Sequence, residues 1–342
     1  MKLKTLSIFT SILFLASIFV YTNENKRGTD LLTGSDYVKG LDINKIQKIS
    51  LNFSGDKKIT LTRDSNRFVL ENHKSYPAST DKVNDLIYKI ASIQVKEKIA
   101  SGADEDDLKK YELGKDKRKY LVELFDNDGK KTVAFSVGKS HKGKGNYLFK
   151  EGKKEIYLSQ ENLWLNSSYK DFVNTVLLEV KKDDIEKVSL KSDKNLEIVK
   201  KDKEFVVENP TDKQYKKEKA EEYAKSFSSV RFDDFYSLTE PKVQALNFDK
   251  DIKIKLKNKL IYKVSLAKDK DDHFVKLTAL LEEAPKQFVV RQDDGKEELQ
   301  KIEDVIKAHG DAQRVNMEKG AWVYKVNKSV YDKLAKDSSF FL

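Results

Sequence analysis

The chain has 342 residues, enough for two domains of ordinary size, and its 39% hydrophobic residues can build real cores. Its 66 basic residues are interleaved with 56 acidic ones, so the net charge of +10 indicates a mixed, solvated surface and not a nucleic-acid-binding stripe. With no cysteine, the chain has no disulfides, thiol catalysis, cysteine-ligated zinc or lipidated cysteine.

The amino-terminal residues 1–22 have the pattern of a membrane anchor. Lys2 and Lys4 precede an uncharged run from Thr5 to Thr22, which as a helix would be about 27 Å long and just able to cross a hydrocarbon core. Phe14 and Val20 stand where a signal peptidase needs small residues, so an uncleaved anchor is favoured over a cleaved signal. The two lysines would keep the tip in the cytoplasm and place the rest outside it. Residues 23–44 are polar and predict a membrane-proximal stalk with a short turn of helix.

The first predicted domain, residues 45–177, begins with three strands and an amphipathic helix. Apolar residues alternate through residues 46–70 and are interrupted by turn residues at Gly55-Asp56 and 64–66. Pro77 is expected to stop the sheet because it has no N–H to donate. Ser79 or Thr80 should cap a helix with one apolar side, made of Val83, Leu86, Ile87, Ile90 and Ile93.

The rest of this domain predicts further strands and two helices. We expect a strand at residues 95–100, a short helix after Asp104, a hairpin through residues 120–137, a loop at 138–145 and a strand pair at 147–149 and 156–158. Residues 161–172 are predicted to be helical.

A diverged copy of the opening module returns about 139 residues later, in the second predicted domain, residues 178–342. Residues 185–190 match 46–51, and 205–209 match 68–72. Residues 215–230 predict a helix whose inward side chains are Ala220, Tyr223, Ala224, Phe227 and Val230. Strands are expected at 252–256, 261–266, 274–280, 287–291 and 322–326, with helices at 296–308 and 329–335.

The order of these signatures resembles the bacterial family DUF4340. The motifs that carry the resemblance are RFVLEN, KYELG, VELFDNDGKKTVAFSVGKSHKGKGNYLF, EIYLS and the terminal AWVYKVNKSVYDKLAKDSSFFL. The resemblance covers residues 46–163 well; Phe68 stands where the family usually has Trp, and Ser79 where it usually has an acidic cap. It implies a membrane-anchored extracytoplasmic protein of unassigned biochemistry, similar in setting to proteins encoded beside ABC transporter and gliding-type auxiliary components.

Several motifs invite a chemical interpretation that their surroundings do not favour. Residues 138–145 have the G-x-x-x-x-G-K spacing, but Gly145 stands where a P-loop has Ser or Thr, and a strand pattern follows, so a hairpin loop is predicted. The run Asp126-Asn127-Asp128-Gly129 lacks the outer ligands of a calcium loop and predicts a turn. The acidic runs 104–107 and 269–272 predict a helix cap and a charged loop.

No catalytic, cofactor-binding or metal-binding residue is therefore predicted. His73, His141, His273 and His309 are far apart in sequence, and Trp164 and Trp322 are interpreted as core or docking residues rather than ligand stackers. Tyr76-Pro77 is interpreted as a turn that sets the direction of the following helix.

The sequence thus predicts an α+β protein with two related domains, each an antiparallel meander with a packed amphipathic helix, behind a transmembrane helix. The leading hypothesis is a single-pass, extracytoplasmic, non-catalytic binding or assembly protein that serves an ABC-type permease and ATPase or other envelope proteins, without a cofactor or nucleic acid. An envelope glycan- or lipid-binding module is the alternative, followed by a hydrolase whose site is assembled from distant residues.

Overall fold

The computed structural model describes residues 30–210, 214–282 and 295–342. The chain divides into two compact units, Met1–Val173 and Asn174–Leu342. Both are built mainly from antiparallel strands with few helices, so the predicted α+β class is confirmed. Across the described ranges, no helix is both long and apolar enough to cross a membrane. The predicted anchor at 1–22 and the predicted strand at 287–291 lie outside these ranges.

Unit 1 opens with five strands, three of which are those expected from the alternation of apolar residues. They are β1 (Asp30–Asp36), β2 (Lys48–Phe53), β3 (Lys58–Asp64), β4 (Arg67–Leu70) and β5 (Tyr76–Pro77). Residues 30–36, within the segment predicted as a stalk, pair with a later strand, and only Ile43–Lys45 form a turn of helix. The expectation that Pro77 stops the sheet was wrong, because Tyr76 and Pro77 pair with β4 as the outermost strand. Proline is tolerated there since an edge strand can leave one N–H position unused.

The remaining elements of unit 1 follow the predicted order. They are α1 (Thr80–Ala91), β6 (Gln94–Ser101), α2 (Glu105–Lys110), β7 (Tyr120–Phe125), β8 (Lys131–Ser140), β9 (Asn146–Lys150) and β10 (Glu155–Ser159). The predicted apolar residues of α1 are buried. Ser79 occupies the N-cap position but its side chain makes no capping hydrogen bond, whereas the Asp104 carboxylate accepts from the N–H groups of Asp106 and Asp107. The ten strands form one antiparallel sheet in the order β1-β6-β10-β9-β8-β7-β2-β3-β4-β5.

The segment after β10 is not the predicted helix. Residues 160–168 form neither helix nor strand, and only Tyr169–Phe172 form one turn of 3₁₀ helix. The N–H of Gln160 donates to the carbonyl of Gln94 (2.8 Å), and the N–H of Leu163 donates to Asn146 Oδ1 (2.9 Å). These backbone groups are therefore used by distant residues and not by carbonyls one helical turn earlier.

Unit 2 contains ten strands and four helices in its described part. They are β11 (Val176–Leu178), β12 (Ile185–Lys191), β13 (Asn195–Lys201), β14 (Glu204–Asn209), α3 (Lys217–Lys225), β15 (Val230–Arg231), β16 (Asp234–Ser237), α4 (Pro241–Gln244), β17 (Phe248–Leu256), β18 (Leu260–Asp269), β19 (Asp272–Leu281), α5 (Lys296–Lys319), β20 (Trp322–Val326) and α6 (Lys328–Leu334). The five predicted inward residues of the α3 region are all buried.

Two helices of unit 2 differ in length from their predictions. α3 ends at Lys225, where the Ser226 hydroxyl donates to the carbonyl of Tyr223 (2.6 Å) and a 3₁₀ turn follows. α5 continues well past Ala308, because Ala312 and Val315 extend its buried side. The Asn316 side chain also fixes this helix to β19 through hydrogen bonds to the N–H and carbonyl of Ala279 (2.8 and 2.7 Å).

The main sheets of the two units have the same connectivity. The eight-stranded sheet of unit 2 has the order β14-β13-β12-β17-β18-β19-β20-β16, which repeats the order β4-β3-β2-β7-β8-β9-β10-β6 strand for strand. In unit 1, the main helix α1 comes after β2, β3 and β4, and the short helix α2 precedes β7, which pairs with β2. In unit 2, the main helix α3 comes after β12, β13 and β14, and the short helix α4 precedes β17, which pairs with β12. Corresponding backbone contacts also recur, since the Phe172 carbonyl accepts from the N–H of Ser79 and the Phe341 carbonyl from that of Lys216 (both 2.7 Å).

Candidate functional site

Close packing explains the glycine spacing that resembles a P-loop. β8 ends at Ser140 and β9 begins at Asn146, so the predicted hairpin loop is confirmed. A Cβ atom on Gly138 would lie 2.3 Å from the carbonyl oxygen of Tyr111. A Cβ atom on Gly145, whose φ is +92°, would lie 2.1 Å from the carbonyl oxygen of Ser159. Both positions therefore require glycine for the fold alone.

The acidic side chains of two motifs have structural partners within the fold. Asp126 accepts from the N–H groups of Asp128 and Lys130 (3.1 and 2.9 Å), which confirms a turn. Asp272 contacts Lys242 and Lys325 (3.0 and 2.6 Å). Hydrogen bonds from Lys325, which has the larger effect, and from Lys242 lower the pKa of the Asp272 carboxyl group. Among the described residues, no group of three or more His, Cys, Asp or Glu side chains is placed to hold a metal ion.

The four histidines and Trp322 lie in separate packing environments. In unit 1, His73 stacks on Tyr169 with ring centroids 3.8 Å apart, and His141 Nδ1 is 2.7 Å from the Tyr147 hydroxyl oxygen. In unit 2, His273 is buried beside Tyr331, and His309 lies within hydrogen-bonding distance of Gln313 (2.9 Å). Trp322 is buried in edge-to-face contact with Phe235, as expected for a core residue.

The prominent concave surface of unit 1 follows the irregular segment 160–166. A cleft of about 480 Å³ lies between this segment, the end of α1 and the sheet, with Tyr120, Val122 and Phe135 as its apolar floor. A second depression, of about 540 Å³, shares Gln160, Glu161 and Asn162 with the cleft, and a third, of about 280 Å³, shares Lys89, Trp164 and Leu165. The three depressions are contiguous, and together they are called the groove below.

Buried polar groups fix the course of the segment that forms the groove wall. Asn146, only 1% exposed, accepts the Leu163 N–H with Oδ1 and donates from Nδ2 to the Gly138 carbonyl (2.9 and 3.0 Å). The Tyr120 hydroxyl donates to the carbonyl of Leu163 (2.8 Å), and burial raises the pKa of this phenol. Both backbone polar groups of Leu163 are thus hydrogen-bonded to buried side chains. The backbone at the next residue is therefore held in a defined position.

That residue is Trp164, an exposed tryptophan at the mouth of the groove. It is 76% exposed, and the Lys119 ammonium is 5.4 Å from the centroid of its ring. Burying an aromatic side chain of this size normally stabilises a fold. An exposed large apolar side chain beside a cleft is therefore a marker of an interaction site. The sequence analysis interpreted Trp164 as a core or docking residue. Its exposure excludes the core interpretation.

The groove carries mixed charge and several amide side chains. Its lining includes four lysines and three carboxylates, which are Lys82, Lys89, Lys96, Lys144, Asp85, Glu161 and Asp171. The amide side chains are those of Gln94, Gln160, Asn162 and Asn166. In the described part of the chain, the buried Oδ2 atom of Asp171 has no hydrogen-bond partner. Sequence reasoning missed these residues because the wall of the groove was predicted to be a helix.

In unit 2, the corresponding stretch of the chain contains a helix. Between β20 and the 3₁₀ turn Ser338–Phe341, residues 327–337 contain helix α6, which buries Tyr331 and Leu334. The Tyr223 hydroxyl of α3 donates to the carbonyl of Leu334 (3.0 Å). Residues 160–168 of unit 1 occupy the equivalent place in the topology but form neither helix nor strand. A smaller depression, of about 230 Å³, remains in unit 2 at the end of α3. The two copies of the fold thus differ in the extent of this concave surface.

These features define a class of protein: a two-unit α+β protein with a duplicated antiparallel sheet and a groove in the first unit. The family model described as "Domain of unknown function (DUF4340)" matches residues 69–251, which is more than half of the chain. The chain therefore belongs to the DUF4340 family, and the resemblance noted in its sequence is confirmed. Neither a curated protein nor a solved structure matches it.

Proposed function

We propose that the chain is a membrane-anchored, extracytoplasmic binding and assembly protein that recognises its partner without converting it. The observation that carries this proposal is the groove of unit 1, in which an exposed Trp164 is positioned by the buried Asn146 and Tyr120. A preformed groove with an exposed aromatic side chain on a held backbone is typical of binding sites, because little backbone reordering is needed when the ligand binds.

The location in this proposal is supported by sequence features, and the partner only by what the family resemblance implies. The uncharged run from Thr5 to Thr22, preceded by Lys2 and Lys4, supports a single membrane-spanning anchor with the two units outside the cytoplasm. The association of the family with ABC transporters supports service as an accessory subunit of an ABC-type transport system. The duplicated units offer two related surfaces for such an assembly.

The proposal is tested by purifying the full-length protein from its native membranes in mild detergent and identifying co-purifying proteins by mass spectrometry. We expect an ABC permease and its ATPase in amounts comparable to the bait. A variant that lacks residues 1–22 should leave the membrane fraction. Recovery of the bait alone, or a full-length protein that stays in the soluble fraction, would contradict the proposal.

A further inference from the structure

We propose that the groove of unit 1 binds an uncharged, hydroxyl-rich glycan chain, with one sugar ring stacked on Trp164. This inference rests on the proposed function, because it names the ligand class of the same groove.

The shape of the groove favours an extended ligand. The three contiguous depressions follow one continuous segment of the chain, so a linear polymer can occupy them in succession. The central cleft, about 480 Å³, is within the range of ordinary small-ligand sites, whereas the other two lie on either side of it along the chain.

The charge of the lining argues against a polyanion or a polycation. Lysines and carboxylates are interspersed, four against three, so a chain with one sign of charge meets repulsion along part of its length. An uncharged ligand avoids this cost. Charge complementarity therefore favours a neutral glycan over a polyanionic one or an acidic peptide.

The polar groups of the lining match hydroxyl groups. Amide side chains both donate and accept hydrogen bonds, as sugar hydroxyls do, and four of them line the groove. The side chains of Gln94, Gln160 and Asn166 are exposed and can turn toward a ligand.

The exposed indole supplies the apolar part of the recognition. One face of a sugar ring presents C–H groups, which pack on the negative face of an aromatic ring. Trp164 is 76% exposed, so Lys119 covers little of the ring. Its position is set by the hydrogen bonds at Leu163, so stacking requires little reordering of the protein.

The composition of the chain allows a direct optical test. It has two tryptophans, and Trp322 is buried, so a Trp322→Phe variant leaves Trp164 as the single indole reporter. We expect that this full-length variant, in lipid nanodiscs, shows a saturable blue shift of its emission on titration with chitotetraose or maltotetraose. Polyglutamate should cause no saturable shift.

The role of Trp164 is tested by calorimetry on variants of the otherwise unchanged chain. Trp164→Ala should weaken tetrasaccharide binding by about tenfold or more, as the loss of one stacking contact requires. The matched control is Tyr88→Ala, which removes an exposed aromatic of α1 (70% exposed) that does not line the groove, and it should bind as the unchanged chain does.

Three results would overturn the inference. They are no binding of either tetrasaccharide at about 10 mM, equal weakening by Trp164→Ala and Tyr88→Ala, and tight binding of polyglutamate that falls steeply with salt. If both tetrasaccharides fail while the unchanged full-length chain still co-purifies with transporter subunits, the glycan inference alone is lost and the proposed function stands.

Discussion

Replacing the buried Asn146 by leucine tests whether this amide holds the groove wall in place. The substitution leaves the Gly138 carbonyl and the Leu163 N–H without their partners, which lie 3.0 and 2.9 Å away in the unchanged protein. Each unsatisfied buried group costs about 1–3 kcal/mol, so we expect the free energy of unfolding of unit 1 to fall by about 2–5 kcal/mol.

The assay is urea denaturation in the Trp322→Phe background, in which the emission of Trp164 reports on unit 1. The midpoint should fall by about 1–2 M urea for a domain of this size. The matched control, Asn166→Leu, makes the same chemical change at an exposed position on the same segment and should shift stability by less than about 0.5 kcal/mol. If the two variants unfold alike, the segment is not held by Asn146 and our account of the groove is wrong.

Three further substitutions test other parts of the structure. Gly138→Ala, whose added Cβ would lie 2.3 Å from a carbonyl oxygen, should lower the stability of unit 1 by about 2–4 kcal/mol in urea unfolding, whereas Gly152→Ala, with open space around it, should be nearly neutral. Phe341→Ala should cost about 3–5 kcal/mol in thermal unfolding of unit 2, and the less buried Phe340→Ala clearly less, because Phe341 is fully buried; equal losses would contradict this packing. The Asp193 pKa is held below its usual range by the hydroxyl and N–H of Ser338, so this carboxylate stabilises the fold above its unfolded pKa of about 4 and loses that effect as the pH falls further. Asp193→Asn should therefore make unit 2 less sensitive to pH below about 4 in acid denaturation, and an unchanged pH profile would contradict the assignment.

Most strands could be predicted because their apolar residues alternate and short turn motifs separate them. The same reasoning found α1 from the spacing of Val83, Leu86, Ile87 and Ile90, all of which are buried. Local patterns sufficed there because one face of each element packs on the core.

The errors have a common physical cause, which is that the decisive partners are distant in sequence. Residues 161–172 have a helix-compatible pattern, but Asn146 and Tyr120 take the hydrogen bonds of Leu163 and prevent a regular helix there. Pro77 joins the sheet because an edge position beside β4 was available. The groove itself could not be predicted, since it depends on where the chain runs after β10. The sequence interpretation of Trp164 left a core and a docking role open, and only its exposure excludes the core role.

The contact that closes each unit also sets the order in which the unit can become complete. The Phe172 carbonyl accepts a hydrogen bond from the N–H of Ser79 in unit 1, and the Phe341 carbonyl accepts one from the N–H of Lys216 in unit 2. The N-cap N–H group of each main helix is therefore hydrogen-bonded only after the last helical turn of its unit is in place. Such long-range closure slows folding, because a large loop must be ordered before the contact forms. During synthesis, each unit is therefore expected to stay incomplete, with apolar surface exposed, until its closing phenylalanine has emerged from the ribosome.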